Sequence, residues 1–324
     1  MDSVSKQSRG VRRYPGLLRR CAPHNDAISS LRKPSSRPIR YALSSLLLLR
    51  RHAVPRLSQN LIRALVVLTL IALALEAQAK RFTLKFDIDG QTRKVLVFAP
   101  DAVGSEPIPL VLAFHGRGDD QVKFATAVKL HQDWPEAIIA YPRGETIDTT
   151  PPMRGWQYRA GTYDDRDLKL TDRLLAELGR RYPTQTEQTY AAGFSNGGHF
   201  VFLLLAERNQ AFAAFAAIGA LQPNYTADTL PKPFLYLFGR GEDRKYQGDW
   251  AKTVQALGRH NLSSGQQTDF ADCCRLIEPK SGGAPVVFGL YNAGHIWPRG
   301  GNEWLKAFFL GMSPPRGSQP PKID

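Results

Sequence analysis

The sequence predicts an α/β chain in which a mostly parallel central sheet is flanked by helices and begins with an antiparallel hairpin. Three observations carry this. Short runs rich in β-formers recur between stretches of helical periodicity. The later runs are continuously apolar rather than alternating, as expected of strands covered on both faces. The first two runs flank Asp89-Gly90, a pair suited to a tight hairpin.

In chain order, Phe82–Ile88 and Lys94–Phe98 are the hairpin strands, and Leu110–Phe114, Ala137–Tyr141, Thr189–Phe194, Phe234–Phe238 and Val286–Tyr291 are the buried ones. Asp164-Asp165 is expected to cap a helix reaching Arg181, because Leu168, Leu174, Leu175, Leu178 and Tyr182 share one face. Gly198–Arg208 is apolar around most of its circumference, through Phe200, Val201, Phe202 and Leu203 to Leu205, and is expected to be a buried helix.

The 324 residues are 43% hydrophobic and 22% charged, which excludes a disordered, collagenous or heptad-dominated chain. The net charge of +14 is unevenly spread. Residues 1–63 hold 14 Lys/Arg against Asp2 and Asp26, whereas residues 80–324 hold 29 against 26 acids. Ala64–Leu75 is an uncharged apolar run between Arg63 and Ala77-Gln78-Ala79, which is the order of a secretory signal peptide. Twelve residues are too few to span a bilayer, which takes about 20.

The expected organisation is therefore a basic extension over 1–63, disordered or upstream of a true start near Val54 or Leu57. A signal segment follows over 64–79, then a catalytic domain over 80–311 and a loose tail over 312–324. The product is expected in the periplasm or the medium, with no membrane anchor after cleavage and no nucleic-acid partner, since the basic segment is removed. Cys21, Cys273 and Cys274 are too few for a disulfide scaffold, and a bond between the two neighbours is not assumed.

The chemistry is concentrated at Gly193-Phe194-Ser195-Asn196-Gly197-Gly198, a G-x-S-x-G turn between a strand and a helix. Such a turn is sharp enough to strain the serine backbone and expose its hydroxyl at the carboxyl end of the sheet. A serine hydroxyl needs a histidine to take its proton and a carboxylate to orient that histidine, in the chain order serine, acid, histidine. His199 lies one turn into the helix and is read as structural, and His260 as a solvated helix end. His295 follows the last apolar strand and is the expected base. Glu242 and Asp243, after Phe234–Phe238, compete as the acid.

His115-Gly116-Arg117-Gly118 follows an early strand, so the backbone N–H groups of Arg117 and Asn196 are the candidate oxyanion donors. Neither a dinucleotide fingerprint nor a P-loop follows, and no residues are spaced for metal binding, so no cofactor and no metal are expected.

His115-Gly116, Tyr141-Pro142, Trp156, Asp164-Asp165, the GxSNGG turn and above all Gly294-His295-x-Trp297-Pro298 resemble the secreted α/β-hydrolases of the polyhydroxybutyrate depolymerase and feruloyl esterase type. The resemblance covers most of residues 94–309. It implies the α/β-hydrolase fold and cofactor-free ester hydrolysis, with Ser195 as nucleophile and His295 as base. That family usually places an aspartate three residues after a glycine; here the count from Gly239 reaches Glu242, with Asp243 one further. Spacing favours Glu242 and residue type favours Asp243, and Asp243 is the expected acid.

Pro298-Arg299-Gly300 stands where the family has Pro-Gly-Gly, which suggests a charge at the entrance that favours anionic or hydroxyacid substrates. Trp156 and Trp297 are candidate pocket walls. Relatives that degrade polymers often carry an added binding domain. None is seen here, and soluble or oligomeric esters are expected, of the hydroxybutyrate or the feruloyl and acetyl type. Two rivals remain at this level. One is a peptidase with the same triad, and the other a catalytically inactive binding protein that keeps the fold.

Overall fold

A computed structural model describes residues 79–242 and 248–311. The basic extension, the apolar signal run through Gln78, Asp243 and the tail from 312 lie outside the described residues.

A ten-stranded sheet organises the domain. Its strands are β1 (Lys80–Ile88), β2 (Gln91–Ala99), β3 (Leu110–Phe114), β4 (Ile138–Pro142), β7 (Thr189–Phe194), β8 (Ala214–Ile218), β9 (Phe234–Gly239), β10 (Ser263–Ala271), β11 (Cys274–Pro279) and β12 (Val286–Tyr291). They lie in the order β1-β2-β4-β3-β7-β8-β9-β12-β11-β10. The inner strands from β4 to β12 are mutually parallel, and an antiparallel pair closes each end. Two short strands, β5 (Glu145–Ile147) and β6 (Met153–Gly155), pair separately.

Period-two alternation divides the core between the two faces. Leu110, Leu112 and Phe114 of β3 join one cluster, while Val111 and Ala113 join the other. The first face is covered by helices α3 (Arg166–Arg181), α4 (Asn196–Glu207) and α5 (Asp249–His260). The second is covered by α1 (Gln121–Val128), α2 (Leu130–Asp133) and α6 (Gly301–Phe309). This two-sided cover is why the inner strands carry no polar face.

The predicted hairpin forms about Asp89 and Gly90, both at positive φ, with the Gly90 N–H donating to Asp87 Oδ1 at 3.0 Å. The expected cap of α3 does not form. Tyr163, Asp164 and Asp165 are all left-handed, at φ 55°, 53° and 54°, and no side chain caps the helix. This backbone turns the Asp165 carboxylate back onto Gln157 Nε2 at 2.7 Å and the Gly161 N–H at 2.8 Å.

Strands β5, β6, β8, β10 and β11 are additions to the sequence reading. Cys273 and Cys274, not assumed to be bonded, form a disulfide at the start of β11. No helix among the described residues is long and apolar enough to cross a membrane.

Candidate active site

The site grows from the sharp connection between β7 and α4. Ser195 sits there at φ 55°, ψ −116°, outside the regions open to most side chains. Its N–H donates to Ile218 O at 2.8 Å, which ties the turn to β8. The flanking glycines are sterically required. A Cβ on Gly193 would strike the backbone of Gly197, and one on Gly197 would strike the carbonyls of Phe114 and His115. The predicted strain and its cause are both present.

His295 stands on the loop after β12, in tilted contact with the Phe194 ring at 4.8 Å. Its Nε2 lies 2.8 Å from Ser195 Oγ, and its Nδ1 lies 2.6 Å from Glu242 Oε2. The loop after β9 is held against the histidine loop by the Gly241 N–H, which donates to Ala293 O at 2.9 Å. The carboxylate on the imidazole is thus that of Glu242, the residue that spacing favoured. Asp243, which residue type favoured, lies outside the described residues.

The loop after β3 closes the other side. A Cβ on Gly116 would come within 3.4 Å of Ser195 Cβ, so the Gly116–Arg117 peptide abuts the serine. Among the described residues the N–H groups of Arg117 and Asn196 donate to no protein group. Both residues line the same cavity as Ser195 and remain the candidate oxyanion donors. His115 anchors this loop from beneath. The Gly144 N–H donates to His115 Nε2 at 2.9 Å, so Nδ1 carries the proton and donates to Gly116 O at 2.7 Å. Burial lowers the His115 pKa, consistent with a neutral ring.

Trp156 does not form a pocket wall. It is fully buried between Phe114 and Phe200, and its Nε1 donates to His115 O at 2.8 Å. The Asn196 side chain grips the same residue, accepting from the Trp156 N–H at 2.7 Å and donating to its carbonyl at 3.2 Å. The indole therefore serves as a brace between the Gly116 loop and the serine turn. Trp297 does not line the cavity either. It packs edge-on to Phe124 and Phe194 and donates from Nε1 to Asn302 Oδ1 at 3.0 Å.

The cavity at Ser195 measures about 650 Å³, and its walls include Tyr158, Leu221, Phe238, His199 and Arg117. Sequence reasoning missed Tyr158 and Leu221, for which no pattern pointed to the site. His199 had a signal, since a residue four after the serine on a helix lies above it. Its Nδ1 lies 3.0 Å from Ser195 O and its Nε2 3.1 Å from Leu221 O, and burial lowers its pKa. Arg299 is exposed and is not part of the lining; the cation that faces the cavity is Arg117. Among the described residues no cluster could hold a metal ion.

This arrangement can transfer an acyl group: a nucleophile, a base, an orienting carboxylate and two candidate donors line one cavity. A family model described as "Putative esterase" matches residues 88–269, more than half of the chain, and ends before His295. The chain is similar to the "Bifunctional acetylxylan esterase/xylanase XynS20E" of Neocallimastix patriciarum, 25% identical over 159 residues. That match covers 48% of this chain and only 22% of the relative's length. It is also similar to "Putative esterase NocK" of Nocardia uniformis subsp. tsuyamanensis, 24% identical over 66% of this chain and 73% of the relative.

Among solved structures, a ferulic acid esterase superposes with a TM-score of 0.51 at 14% identity, over 74% of this chain and 98% of its own. The fluorophosphonate-binding serine hydrolase FphF of Staphylococcus aureus gives 0.50 at 13% identity, over 72% and 99%. These likenesses show the α/β-hydrolase fold.

Proposed function

The chain belongs to the esterase family whose model spans residues 88–269, and from that premise we propose that it is a serine hydrolase of carboxylic esters, acting through an acyl-enzyme at Ser195. The observation that carries this reading is the continuous line from Ser195 Oγ through the His295 ring to Glu242, at the mouth of a cavity of about 650 Å³.

In this reading His295 Nε2 takes the Ser195 proton as Oγ bonds to the acyl carbon, and the Arg117 and Asn196 N–H groups hold the resulting oxyanion. Each such donor is worth about 3–4 kcal/mol to the transition state in serine enzymes. Collapse breaks the bond to the alcohol oxygen, which leaves with the proton from Nε2. Water then enters, gives a proton to the same nitrogen and releases the acid, restoring Ser195. Glu242 keeps Nδ1 protonated and balances the imidazolium formed twice in each cycle.

Esters of the hydroxybutyrate, feruloyl and acetyl types are the proposed substrates, supported by the Gly294–Pro298 motif and by the family. Export is proposed from the order of Arg63, the apolar run and Ala77–Ala79. Mass spectrometry of the exported protein checks it by finding Lys80 at the N-terminus.

The test of activity is hydrolysis of p-nitrophenyl esters, hydroxybutyrate oligomers, methyl ferulate and acetylated xylan, with peptides alongside and Ser195→Ala as control. Ester turnover lost in the variant, with stoichiometric fluorophosphonate labelling of Ser195, is the expected result. Folded protein that neither turns over an ester nor takes the label overturns the reading.

A further inference from the structure

A groove of about 850 Å³ runs between the edge strand β1 and helix α3. Its lining includes Lys80, Arg173, Arg180 and Arg181 against a single acid, Glu177, while Lys85, on the opposite face of β1 from Phe82, Leu84 and Phe86, borders it only at the strand edge. That acid is already shared by Arg180 and Arg181. Of the three acids in the adjacent cavity, Asp172 pairs with Arg208, Asp89 with Lys169, and Asp87 Oδ1 accepts from the Gly90 N–H. The side chains of Lys80 and Arg173 have no hydrogen-bond or ion-pair partner among the described residues. Residues 80–324 are close to neutral as a whole, with 29 basic against 26 acidic residues, so an excess of three cations at one concavity is a local feature.

Cations gathered around a low-dielectric concavity repel one another and focus a positive potential into it, and a bound anion relieves that repulsion. The floor is apolar. Phe82 and Phe86 are half-buried there, and the Arg181 guanidinium lies 6.0 Å from the centre of the Phe82 ring. Since β1 is the end strand of the sheet among the described residues, its outer edge offers backbone N–H and C=O groups that none of their strands pairs. Alternating donors and acceptors suit hydroxyl groups, which do both, better than phosphates, which only accept at neutral pH. A groove also admits a chain more readily than the plane of a bilayer.

We propose that this groove binds an acidic polysaccharide, a hydroxyl-rich chain bearing carboxylate or sulfate groups. It is an anchoring surface separate from the catalytic pocket, four strands from β7 in the sheet order, or about 19 Å at the usual strand spacing. The proposal does not depend on the esterase reading.

Hydrogen exchange on the full chain, with and without polygalacturonate, tests it. The expected result is slowed exchange over residues 80–86 and 173–182, with no effect of neutral dextran. The double variant Lys80→Glu, Arg173→Glu alters two exposed side chains and is expected to bind polygalacturonate at least tenfold more weakly, with p-nitrophenyl acetate turnover unchanged. Protection confined to residues 1–63, or equal affinity in the variant, overturns the proposal. Equal or stronger protection by oligothymidylate or by phosphatidylserine vesicles overturns it in favour of a nucleic-acid or membrane surface.

Discussion

Glu242 Oε2 lies 2.6 Å from His295 Nδ1, and only 6% of the Glu242 side chain is exposed, against 45% for the histidine. The other carboxylate oxygen is buried without a hydrogen-bond partner among the described residues. Such a carboxylate is poorly solvated and gains most when the ring beside it becomes charged. Glu242→Gln keeps the shape but allows an amide to donate to Nδ1, which favours the wrong tautomer. We expect kcat to fall by about 10³–10⁴-fold with KM little changed, on the scale of an orienting acid converted to its amide in other serine hydrolases. Asp243→Asn is expected to stay within about threefold of the parent. The reverse ranking in steady-state kinetics overturns the assignment of the acid to Glu242.

The elements that local pattern made legible are those whose surroundings are uniform. Most of the inner strands were legible because both faces are buried, and the Ser195 turn because Gly193 and Gly197 leave no room for a side chain. β8 escaped because three of its five residues are alanine, a weak strand former that is held there by pairing on both sides. β10 escaped for the opposite reason: it is a polar, mostly exposed edge strand with Gly265 at positive φ and two register shifts. The choice between Glu242 and Asp243 turned on the pitch of a single loop, and composition cannot read a rotation of one residue. Trp156 reads alike as wall or brace until its hydrogen bonds to His115 and Asn196 are seen.

That brace carries the second prediction. Trp156→Phe removes the Nε1 donor, leaves the buried His115 carbonyl without this partner and opens space beside Phe200. The expected cost is about 2–3 kcal/mol of stability, read as a lower denaturation midpoint. Because the ring does not touch the cavity, KM for small esters is expected to stay within about twofold while kcat falls. A large change in KM with unaltered stability restores Trp156 as a substrate wall.

Buried histidines set the acid limit of the fold. His115, His131, His199 and His260 are all lowered from the ordinary value, with burial as the largest cause. Below about pH 6.5 the unfolded chain takes up protons that the folded chain refuses. The stability associated with these rings is therefore full above that pH and declines as the pH falls toward their folded values. Urea denaturation at pH 7.5 and 5.5 is expected to show lower stability at the acid pH, with a smaller difference in His115→Gln. The lowered carboxyl groups of Asp120 and Glu136 act only at more acid pH and leave this window unchanged. Equal stability at the two pH values contradicts the burial argument.

Arg117 and Arg299 separate two accounts of substrate charge. Arg117 lines the cavity beside Ser195 and has no ion-pair or hydrogen-bond partner among the described residues, whereas Arg299 is exposed and outside the lining. A guanidinium about 6 Å from a substrate carboxylate, at an effective dielectric constant between those of the surface and water, contributes about 1–2 kcal/mol, or roughly five- to thirtyfold in rate. Arg117→Gln is therefore expected to reduce kcat/KM for a hemisuccinate ester by that factor relative to the matched butyrate ester. It keeps the backbone N–H, so turnover of the neutral ester serves as the internal control. Arg299→Gly is expected to leave the ratio of the two esters within about twofold, because solvent and salt screen a charge outside the pocket. If Arg299→Gly shifts the ratio and Arg117→Gln does not, selectivity for charge resides at the outer rim of the entrance.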